Sequence, residues 1–337
     1  MADVRKPLLS ICIPSYNRSR LLKVSLLSIM EQMNGLADDI EVVVSDNCST
    51  DETEDIVRWA QQFGQIRYNR NKTNIGAGPN FNLLIEKLAQ GEYCWIIGDD
   101  DFLRKNSLFR LIKGMKENPE VDLFHINGMH IDVSQVYNMT DPVSSEQFPN
   151  DLITSNNDFY DRELASFNDL IDPSINRDFL CGIMCSIFRR KKWMDHSHSV
   201  KISEDNFRDA FTTYPHAVIL TMSMRGSRIF RFGNPIIVIG DGNRNWESDY
   251  PMVAHVRSLE LLEIFENLGV DTNQIEKCRR YHLINNVPSL IFTSIRMGGH
   301  LKNYVDYNQT LLKYVAYKEF WLSIPYIFYR RILKIIN

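Results

Sequence analysis

The chain has 337 residues, of which 44% are hydrophobic and 24% are charged, and this composition is typical of a folded globular protein. Its length allows one large domain with an extension, or two domains. A formal net charge of −4 argues against a general nucleic-acid binder. The six cysteines form no CxxC pair, so we expect reduced thiols in a cytosolic protein. We expect neither a signal peptide nor a membrane span, because no run reaches the roughly 20 apolar residues that span a bilayer.

Short apolar runs alternate with amphipathic segments over the first hundred residues. Strands are predicted at residues 8–14, 40–45, 66–69 and 93–97, and helices at 19–33, 50–63 and 81–89. Continuous apolar strands that alternate with helices imply an α/β fold, with a mostly parallel sheet covered on both faces.

Polar residues cluster where three of these strands end. They are residues 16–18, residues 46–51 and the three consecutive carboxylates at 99–101. Ligands bind at the carboxyl ends of strands in such sheets. Adjacent carboxylates repel one another and raise each other's pKa, and a divalent cation that carries a phosphate would relieve the repulsion. The alternative is an acidic turn that caps the next helix.

Two common nucleotide-binding motifs do not fit. A dinucleotide-binding Rossmann unit needs a glycine-rich turn after the first strand, and residues 14–18 contain no glycine. Gly76 and Gly78 follow the third predicted strand instead. The phosphate-binding pattern GxxxxGK[ST] does not occur in the sequence.

The order and spacing of segments 13–18, 44–51, 74–76 and the acidic strand end resemble glycosyltransferase family 2, which has the GT-A fold. The resemblance covers residues 1–130. Within the family, segments 80–82 and 93–100 are most similar to abequosyltransferase-type enzymes of bacterial O-antigen assembly.

The resemblance implies a nucleotide-sugar pocket. Its lining would be Pro14, Tyr16, Asn17, Arg18, Asp46, Asn47, Asp51, Asn74, Gly76, Asn80 and Asp99. Asp46 would face the base, and Asp51 would close the loop.

The acidic strand end stands where the family's D-x-D motif holds a divalent metal, Mg²⁺ or Mn²⁺, on the donor diphosphate. The predicted metal ligands are therefore Asp99, Asp100 and Asp101. Gly98 stands where many relatives have the first Asp, so alignment on the strand gives Asp100 the main metal position.

The middle of the chain is predicted to hold a helix at 103–118, strands at 121–127 and 129–133, and a polar acceptor-side insertion at 134–178. An apolar run at 179–188 leads into the basic run 189–192, which we expect to be a solvated face.

The resemblance implies a catalytic base in the Glu204–Asp205 pair, with Asp205 in the role. The alternative is a pair of acids in the first turn of a helix over 204–214, capped by Ser203. His216 is the next candidate base, because neutral imidazole can take a proton near pH 7. A lone His before an apolar strand is otherwise structural.

A strand at 236–239 followed by a glycine-containing loop predicts a lid. Arg244 would reach a diphosphate, and Trp246 would stack on a sugar. The alternative is an ordinary surface loop.

Helices are predicted at 252–268, 273–296 and 302–317. Residues 314–337 mix aromatic and basic side chains, which suits a helix in an anionic membrane interface. The alternatives are a helix packed on the domain and a dimer contact. We expect a GT-A domain at 1–248, with a nucleotide-sugar half at 1–130 and an acceptor half at 131–248, and a helical extension at 249–337.

These observations predict a metal-dependent glycosyltransferase. It would move a sugar from a nucleoside-diphosphate donor to a lipid-linked saccharide acceptor in O-antigen or lipopolysaccharide synthesis. It would be cytoplasmic and peripherally bound to the membrane, with no nucleic-acid partner. The alternatives are a non-catalytic nucleotide-sugar-binding partner of an assembly complex and a soluble glycosyltransferase for a small acceptor. The stereochemical outcome does not follow from these residues.

Overall fold

The computed structural model describes residues 6–139, 143–202, 207–243, 253–285, 312–323 and 325. The described residues form one ten-stranded sheet. Its strands are β1 (Leu9–Ser15), β2 (Ile40–Asp46), β3 (Ile66–Arg70), β4 (Tyr93–Ile96), β5 (Phe102–Leu103), β6 (Leu123–Asp132), β7 (Ile153–Thr154), β8 (Arg162–Leu164), β9 (Ser186–Arg189) and β10 (Ile229–Asp241).

Helices flank this sheet. They are α1 (Ser19–Met30), α2 (Thr53–Ala60), α3 (Ala77–Leu83), α4 (Ser107–Glu117), α5 (Val133–Tyr137), α6 (Phe167–Leu170), α7 (Arg190–His196), α8 (Ala210–Thr213), α9 (Pro215–Met224), α10 (Ser258–Asn267) and α11 (Thr272–Asn285). Two π-helical turns, Leu84–Leu88 and Val253–Arg257, continue α3 and precede α10.

The strand order is β3-β2-β1-β4-β9-β6-β10-β5, with β7 beside β6 and β8 beside β10. The pairs β1–β2, β2–β3, β1–β4 and β6–β10 are parallel. Strand β9 is antiparallel to both β4 and β6, so β6 runs in the same direction as β4. The carboxyl ends of β1, β2, β4, β6 and β10 therefore share one edge. The predicted mostly parallel sheet is confirmed.

Both faces of the sheet are covered. Ile11 and Ile13 of β1 pack into one hydrophobic cluster with α1 and α4, whereas Cys12 packs into another with α9 to α11. Strands that are buried on both faces have apolar residues at every position, and this explains their continuous runs in the sequence. None of the six cysteines forms a disulfide, as predicted. Among the described residues, no helix is long and apolar enough to cross a membrane.

Three predicted elements in the first half of the chain have different bounds in the structure. The helix at 103–118 begins only at Ser107, because Phe102 and Leu103 pair with β10. The two strands at 121–133 are one strand, since Gly128 pairs with Ile237 and makes no turn. The helix predicted at 81–89 begins at Ala77. Pro79 is tolerated in its first turn, because N–H groups in a first turn have no partner within the helix and the missing N–H of proline is therefore not needed.

The basic run after β9 is partly structural, which corrects the prediction of a solvated face. Arg189 donates to Asp122 at 2.7 Å and lies over the Tyr93 ring at 4.7 Å. Arg190 Nε donates to the carbonyl of Ile85 at 2.7 Å. These two side chains fasten β9 and α7 to neighbouring elements.

Candidate active site

The loops that follow β1 and β2 are hydrogen-bonded to each other. Asn17 N donates to Ser49 Oγ at 2.9 Å, and Thr50 N donates to Asn17 Oδ1 at 2.7 Å. Asn17 has a φ of 54°, a left-handed conformation that Asn tolerates better than most residues. Two of the three polar clusters therefore form one surface at the carboxyl edge of the sheet.

Asp51 joins the same two loops. Its carboxylate accepts hydrogen bonds from Ser19 N at 2.9 Å and from Thr53 Oγ1 at 2.6 Å. Burial acts to raise the pKa of Asp51, but the hydrogen bonds from Thr53 and Ser19 outweigh it and hold the pKa below its ordinary value. Asp51 thus lies where α1 and α2 begin, beside the loop that it was predicted to close.

Asp46 is fully buried at the end of β2. Its carboxylate accepts from Ser49 N and from Tyr68 Oη, both at 2.7 Å, and Arg70 Nε lies 3.4 Å away. Burial and the hydrogen bond to Asp46 raise the pKa of Tyr68. The sequence did not single out Tyr68 or Arg70, although both lie on the adjacent strand β3. That Asp46 faces a nucleotide base stays a prediction.

An asparagine network connects β2 with the start of α3. Asn47 Oδ1 accepts from Ile75 N at 3.0 Å, and Asn47 Nδ2 donates to Asn74 Oδ1 at 2.7 Å. Asn80 Nδ2 donates to the carbonyl of Ser45 at 3.1 Å. These predicted pocket residues therefore lie together and hold one another in place.

Two further residues complete this network. Asn71 Nδ2 bonds Asn47 Oδ1 at 3.0 Å and Asn80 Oδ1 at 2.9 Å, and sequence analysis missed it because β3 is a weak strand whose end was not singled out. Gly76 precedes α3 with a φ of 85°, a conformation that favours glycine.

Arg18 contacts two carboxylates of the acidic strand end. Its Nη1 lies 3.2 Å from Asp99 Oδ1 and 3.2 Å from Asp100 Oδ2. Ser15 Oγ donates to the other oxygen of Asp99 at 2.8 Å. Burial, together with the charge of Asp100, raises the pKa of Asp99 to about 7, while Arg18 opposes this shift. The ends of β1 and β4 therefore form one charged cluster.

Asp101 is oriented differently. Its buried carboxylate accepts from Gly98 N at 2.7 Å and from the backbone N–H of Gly240. Burial raises its pKa well above the ordinary value. The carboxylate of Asp101 thus binds backbone, and we keep the metal-binding prediction chiefly for Asp99 and Asp100.

Gly98 has a steric reason to be glycine. A Cβ at this position would lie 2.4 Å from Asp100 Oδ1. Any side chain at position 98 would displace Asp100 in this structure.

The end of β10 closes the cluster from the other side, because Arg18 Nη2 donates to the carbonyl of Asn243 at 3.0 Å. The side-chain amide of Asn243 is buried and has no hydrogen-bond partner among the described residues. Pro14 is half-buried in β1, and Tyr16 is 37% exposed. The remaining predicted residues, Glu204, Asp205, Arg244 and Trp246, lie outside the described residues.

His216 lies in helix α9, and the prediction that it precedes an apolar strand was wrong. The residue is buried, and its Nε2 lies 2.9 Å from the carbonyl oxygen of Cys181. Burial lowers its pKa to about 4. These contacts are those of a packing residue, and its role as a base stays a prediction.

The oxygen atoms of the acidic strand end decide whether a metal ion fits there. Among the residues that the structure describes, no group of three or more His, Cys, Asp and Glu is arranged to hold a metal ion. Asp99 and Asp100 nevertheless offer hard oxygen ligands, which Mg²⁺ prefers when it binds one or two carboxylates together with substrate phosphates and water. The Asp100 side chain is 17% exposed and that of Asp99 is 5% exposed. The pair fits a metal that arrives with a phosphorylated substrate.

This fold, with acids at the carboxyl end of its fourth strand, is the GT-A fold of nucleotide-sugar-dependent glycosyltransferases. Residues 10–195 match Glycosyl transferase family 2, and the chain belongs to that family. The predicted family and fold are confirmed.

Two curated relatives illustrate the family. An abequosyltransferase of Salmonella typhimurium is 30% identical over 246 residues, which are 71% of this chain and 68% of that protein. The GalNAc(5)-diNAcBac-PP-undecaprenol β-1,3-glucosyltransferase of Campylobacter jejuni is 34% identical over 114 residues, 33% of this chain and 35% of that enzyme. The predicted likeness to abequosyltransferase-type enzymes is confirmed.

Solved structures share the fold. TarS of Staphylococcus aureus superposes with a TM-score of 0.55 at 18% identity, covering 94% of this chain and 81% of TarS. A mannosyltransferase of Pyrobaculum calidifontis, solved with GDP-Man and Mn²⁺, gives 0.53 at 17% identity, covering 95% of this chain and 84% of that one. At these identities the likeness shows the fold alone.

Proposed function

We propose that this glycosyltransferase takes a sugar from a nucleoside-diphosphate donor and passes it to a lipid-linked saccharide in the synthesis of O-antigen, lipopolysaccharide or a related surface polysaccharide. The observation that carries the proposal is the cluster of Arg18, Asp99 and Asp100 at the carboxyl edge of the sheet. The abequosyltransferase and the undecaprenol-linked specificity of the Campylobacter enzyme support the acceptor class.

The donor would lie along the two hydrogen-bonded loops after β1 and β2 and along the asparagine network. Asp46, Asn47 and Asn80 are buried and bonded on several sides, so they hold the surrounding loops in place as a rigid wall for a nucleotide. A rigid wall lowers the entropy that binding costs. Tyr16, exposed beside it, offers an aromatic face for stacking.

Asp99 and Asp100 would hold Mg²⁺ or Mn²⁺, and the Mn²⁺ of the Pyrobaculum neighbour supports this choice. When bound, such an ion supplies Lewis-acid stabilisation of the leaving diphosphate. Arg18 adds a fixed positive charge next to the two carboxylates and limits their repulsion.

The acceptor hydroxyl must lose a proton as its oxygen bonds to the sugar. Asp205, with Glu204 beside it, remains our proposed base if the reaction inverts configuration. His216 is the weaker candidate, because its Nε2 already lies against the carbonyl of Cys181. Arg244 and Trp246 remain the proposed lid contacts to diphosphate and sugar.

We also propose that the enzyme acts in the cytoplasm, at an anionic membrane surface that it contacts through its aromatic and basic tail. Most of that tail lies outside the described residues. Within its described part, Trp321 and Leu322 are exposed, while Phe320 is buried. Removing residues 318–337 should abolish sedimentation with vesicles that contain phosphatidylserine, and unchanged sedimentation would contradict this part of the proposal.

Thermal unfolding with a panel of UDP-, GDP-, CDP- and dTDP-sugars tests the proposal. One class of donor should raise the melting temperature in the presence of Mn²⁺, because a ligand that binds only the folded state stabilises it by mass action. Asp100→Asn should remove the Mn²⁺-dependent part, whereas the exposed Asp38→Asn should not. Transfer to octyl glycosides then tests the acceptor class. No shift with any nucleotide sugar would contradict the proposal.

A further inference from the structure

Three polar side chains form a hydrogen-bonded chain beside strands β6 and β10. His130 Nδ1 lies 2.9 Å from Asp241 Oδ2, and His130 Nε2 lies 2.9 Å from Ser155 Oγ. None of the three was singled out from the sequence, because they are 25 and 111 positions apart in the chain.

The sheet brings them together. His130 of β6 is the register partner of Ile239 in β10, and Asp241 follows two residues later on the same face. Ser155 N donates to the carbonyl of Gly128 at 2.9 Å. A Cβ at Gly128 would lie 3.2 Å from Ser155 Oγ, so the glycine leaves room for the hydroxyl beside His130.

The direction of the two hydrogen bonds of His130 follows from what Asp241 and Ser155 can donate and accept. An ionised Asp241 can only accept, so in the neutral form of His130 the proton lies on Nδ1 and Nε2 is an acceptor. The hydroxyl of Ser155 then donates to Nε2, and its oxygen keeps lone pairs for a further donor. The side chains of His130 and Asp241 are each 36% exposed, so solvent reaches the chain.

The segment that carries Asp241 also borders the acidic cluster. A Cβ at Gly240 would lie 2.2 Å from the carbonyl oxygen of Asp100, and Asn243 accepts from Arg18. Gly240 and Asn243 therefore border the proposed donor site, and Asp241 between them contacts His130.

We propose that Ser155, His130 and Asp241 bind a hydroxyl group of the acceptor saccharide. This assignment rests on the proposed function and adds acceptor-recognition residues to it. The acceptor hydroxyl donates to Ser155 Oγ, and the hydrogen bonds through His130 to Asp241 polarise that oxygen and strengthen the contact.

A hydrogen-bonded Ser, His and Asp in this order also activates the serine nucleophile of hydrolases. The N–H of Ser155 already donates to Gly128, however, and is not free to stabilise an oxyanion. The arrangement therefore favours recognition of a hydroxyl, with no covalent step.

Kinetics of Ser155→Ala and His130→Gln test the assignment, with the exposed His198→Gln as the matched control. The acceptors are octyl β-galactoside, octyl α-mannoside and octyl N-acetylglucosaminide, and the donor is the one selected by thermal unfolding. Both site variants should raise the acceptor KM about tenfold, the effect of one hydrogen bond, while the donor KM and kcat stay within about twofold. An unchanged acceptor KM, or a fall in kcat at constant acceptor KM, would overturn the assignment.

A binding measurement keeps the test independent of turnover. Saturation-transfer difference NMR with the same glycosides and the nucleoside diphosphate of the selected donor should show glycoside binding about tenfold weaker in His130→Gln than in His198→Gln. Equal glycoside signals in the two variants, or none with the unmodified protein, would overturn the assignment. Failure of the protein to bind any nucleotide would contradict the proposed function instead, so the two failures are distinguishable.

Discussion

Arg18 Nη2 donates a hydrogen bond of 3.0 Å to the carbonyl oxygen of Asn243, which lies 225 positions further along the chain. One guanidinium thereby joins the loop after the first strand to the end of the last strand. Because Nη1 of the same group contacts Asp99 and Asp100, the position of these acids is coupled to that of the segment after β10.

Arg18→Lys should reduce transfer activity by one to two orders of magnitude. The ammonium group is a single point charge and cannot contact the two carboxylates and the carbonyl in the planar fork geometry of a guanidinium. Steady-state kinetics with the selected donor measure the effect. Arg58→Lys is the control, because Arg58 forms an exposed pair with Glu54 on α2. Activity of Arg18→Lys within twofold of the unmodified enzyme would contradict the role of Arg18.

Asp100→Ala and Asp101→Ala should have different effects, the first on ligand binding and the second on the stability of the fold. Loss of Asp101 leaves the partly buried N–H groups of Gly98 and Gly240 without their carboxylate acceptor and should cost about 1–3 kcal/mol of unfolding free energy. Asp100→Ala should change stability little without ligand but should remove stabilisation by donor and Mn²⁺. Thermal unfolding with and without these ligands separates the two effects. Equal behaviour of both variants would show that the carboxylates share one role.

Gly98→Ala should lower activity in a protein that still folds. Its Cβ would meet Asp100 Oδ1 at 2.4 Å and push that carboxylate away from Arg18. Gly64→Ala is the control, because its Cβ would meet only the flexible Sδ of Met30. Donor-dependent melting temperatures and transfer rates of the two variants are compared. If Gly98→Ala keeps full activity, the position of Asp100 is less constrained than the structure indicates.

Acidification should destabilise the protein, and His216 should contribute. Its pKa is about 4 in the folded state and about 6.5 when unfolded, so the unfolded state binds more protons between these values. Stability therefore falls as the pH falls from about 6.5 towards 4, by about 2 kcal/mol at pH 5 from this residue. Urea unfolding of His216→Gln at pH 7 and pH 5 should show a smaller difference than the unmodified protein. An identical difference would mean that His216 is not the titrating group.

The amino-acid sequence determined the first half of the fold. Strands β1, β2 and β4 are buried on both faces, so their apolar runs are nearly continuous and can be recognised without knowing their neighbours. The acids after β4 were recognisable for a related reason, since three carboxylates at the end of a buried strand require compensation. The family followed from the order of these local segments.

Only the tertiary structure decided how individual side chains are used. Asp99, Asp100 and Asp101 are equivalent in sequence, yet two contact Arg18 and the third binds the backbone of Gly98 and Gly240. Such roles depend on which groups the fold brings within hydrogen-bonding distance, and Arg18 comes from the loop after β1 and Gly240 from β10. For the same reason the pairing of His130 with Asp241 has no local signal, because it arises from the register of two strands that are distant in the chain.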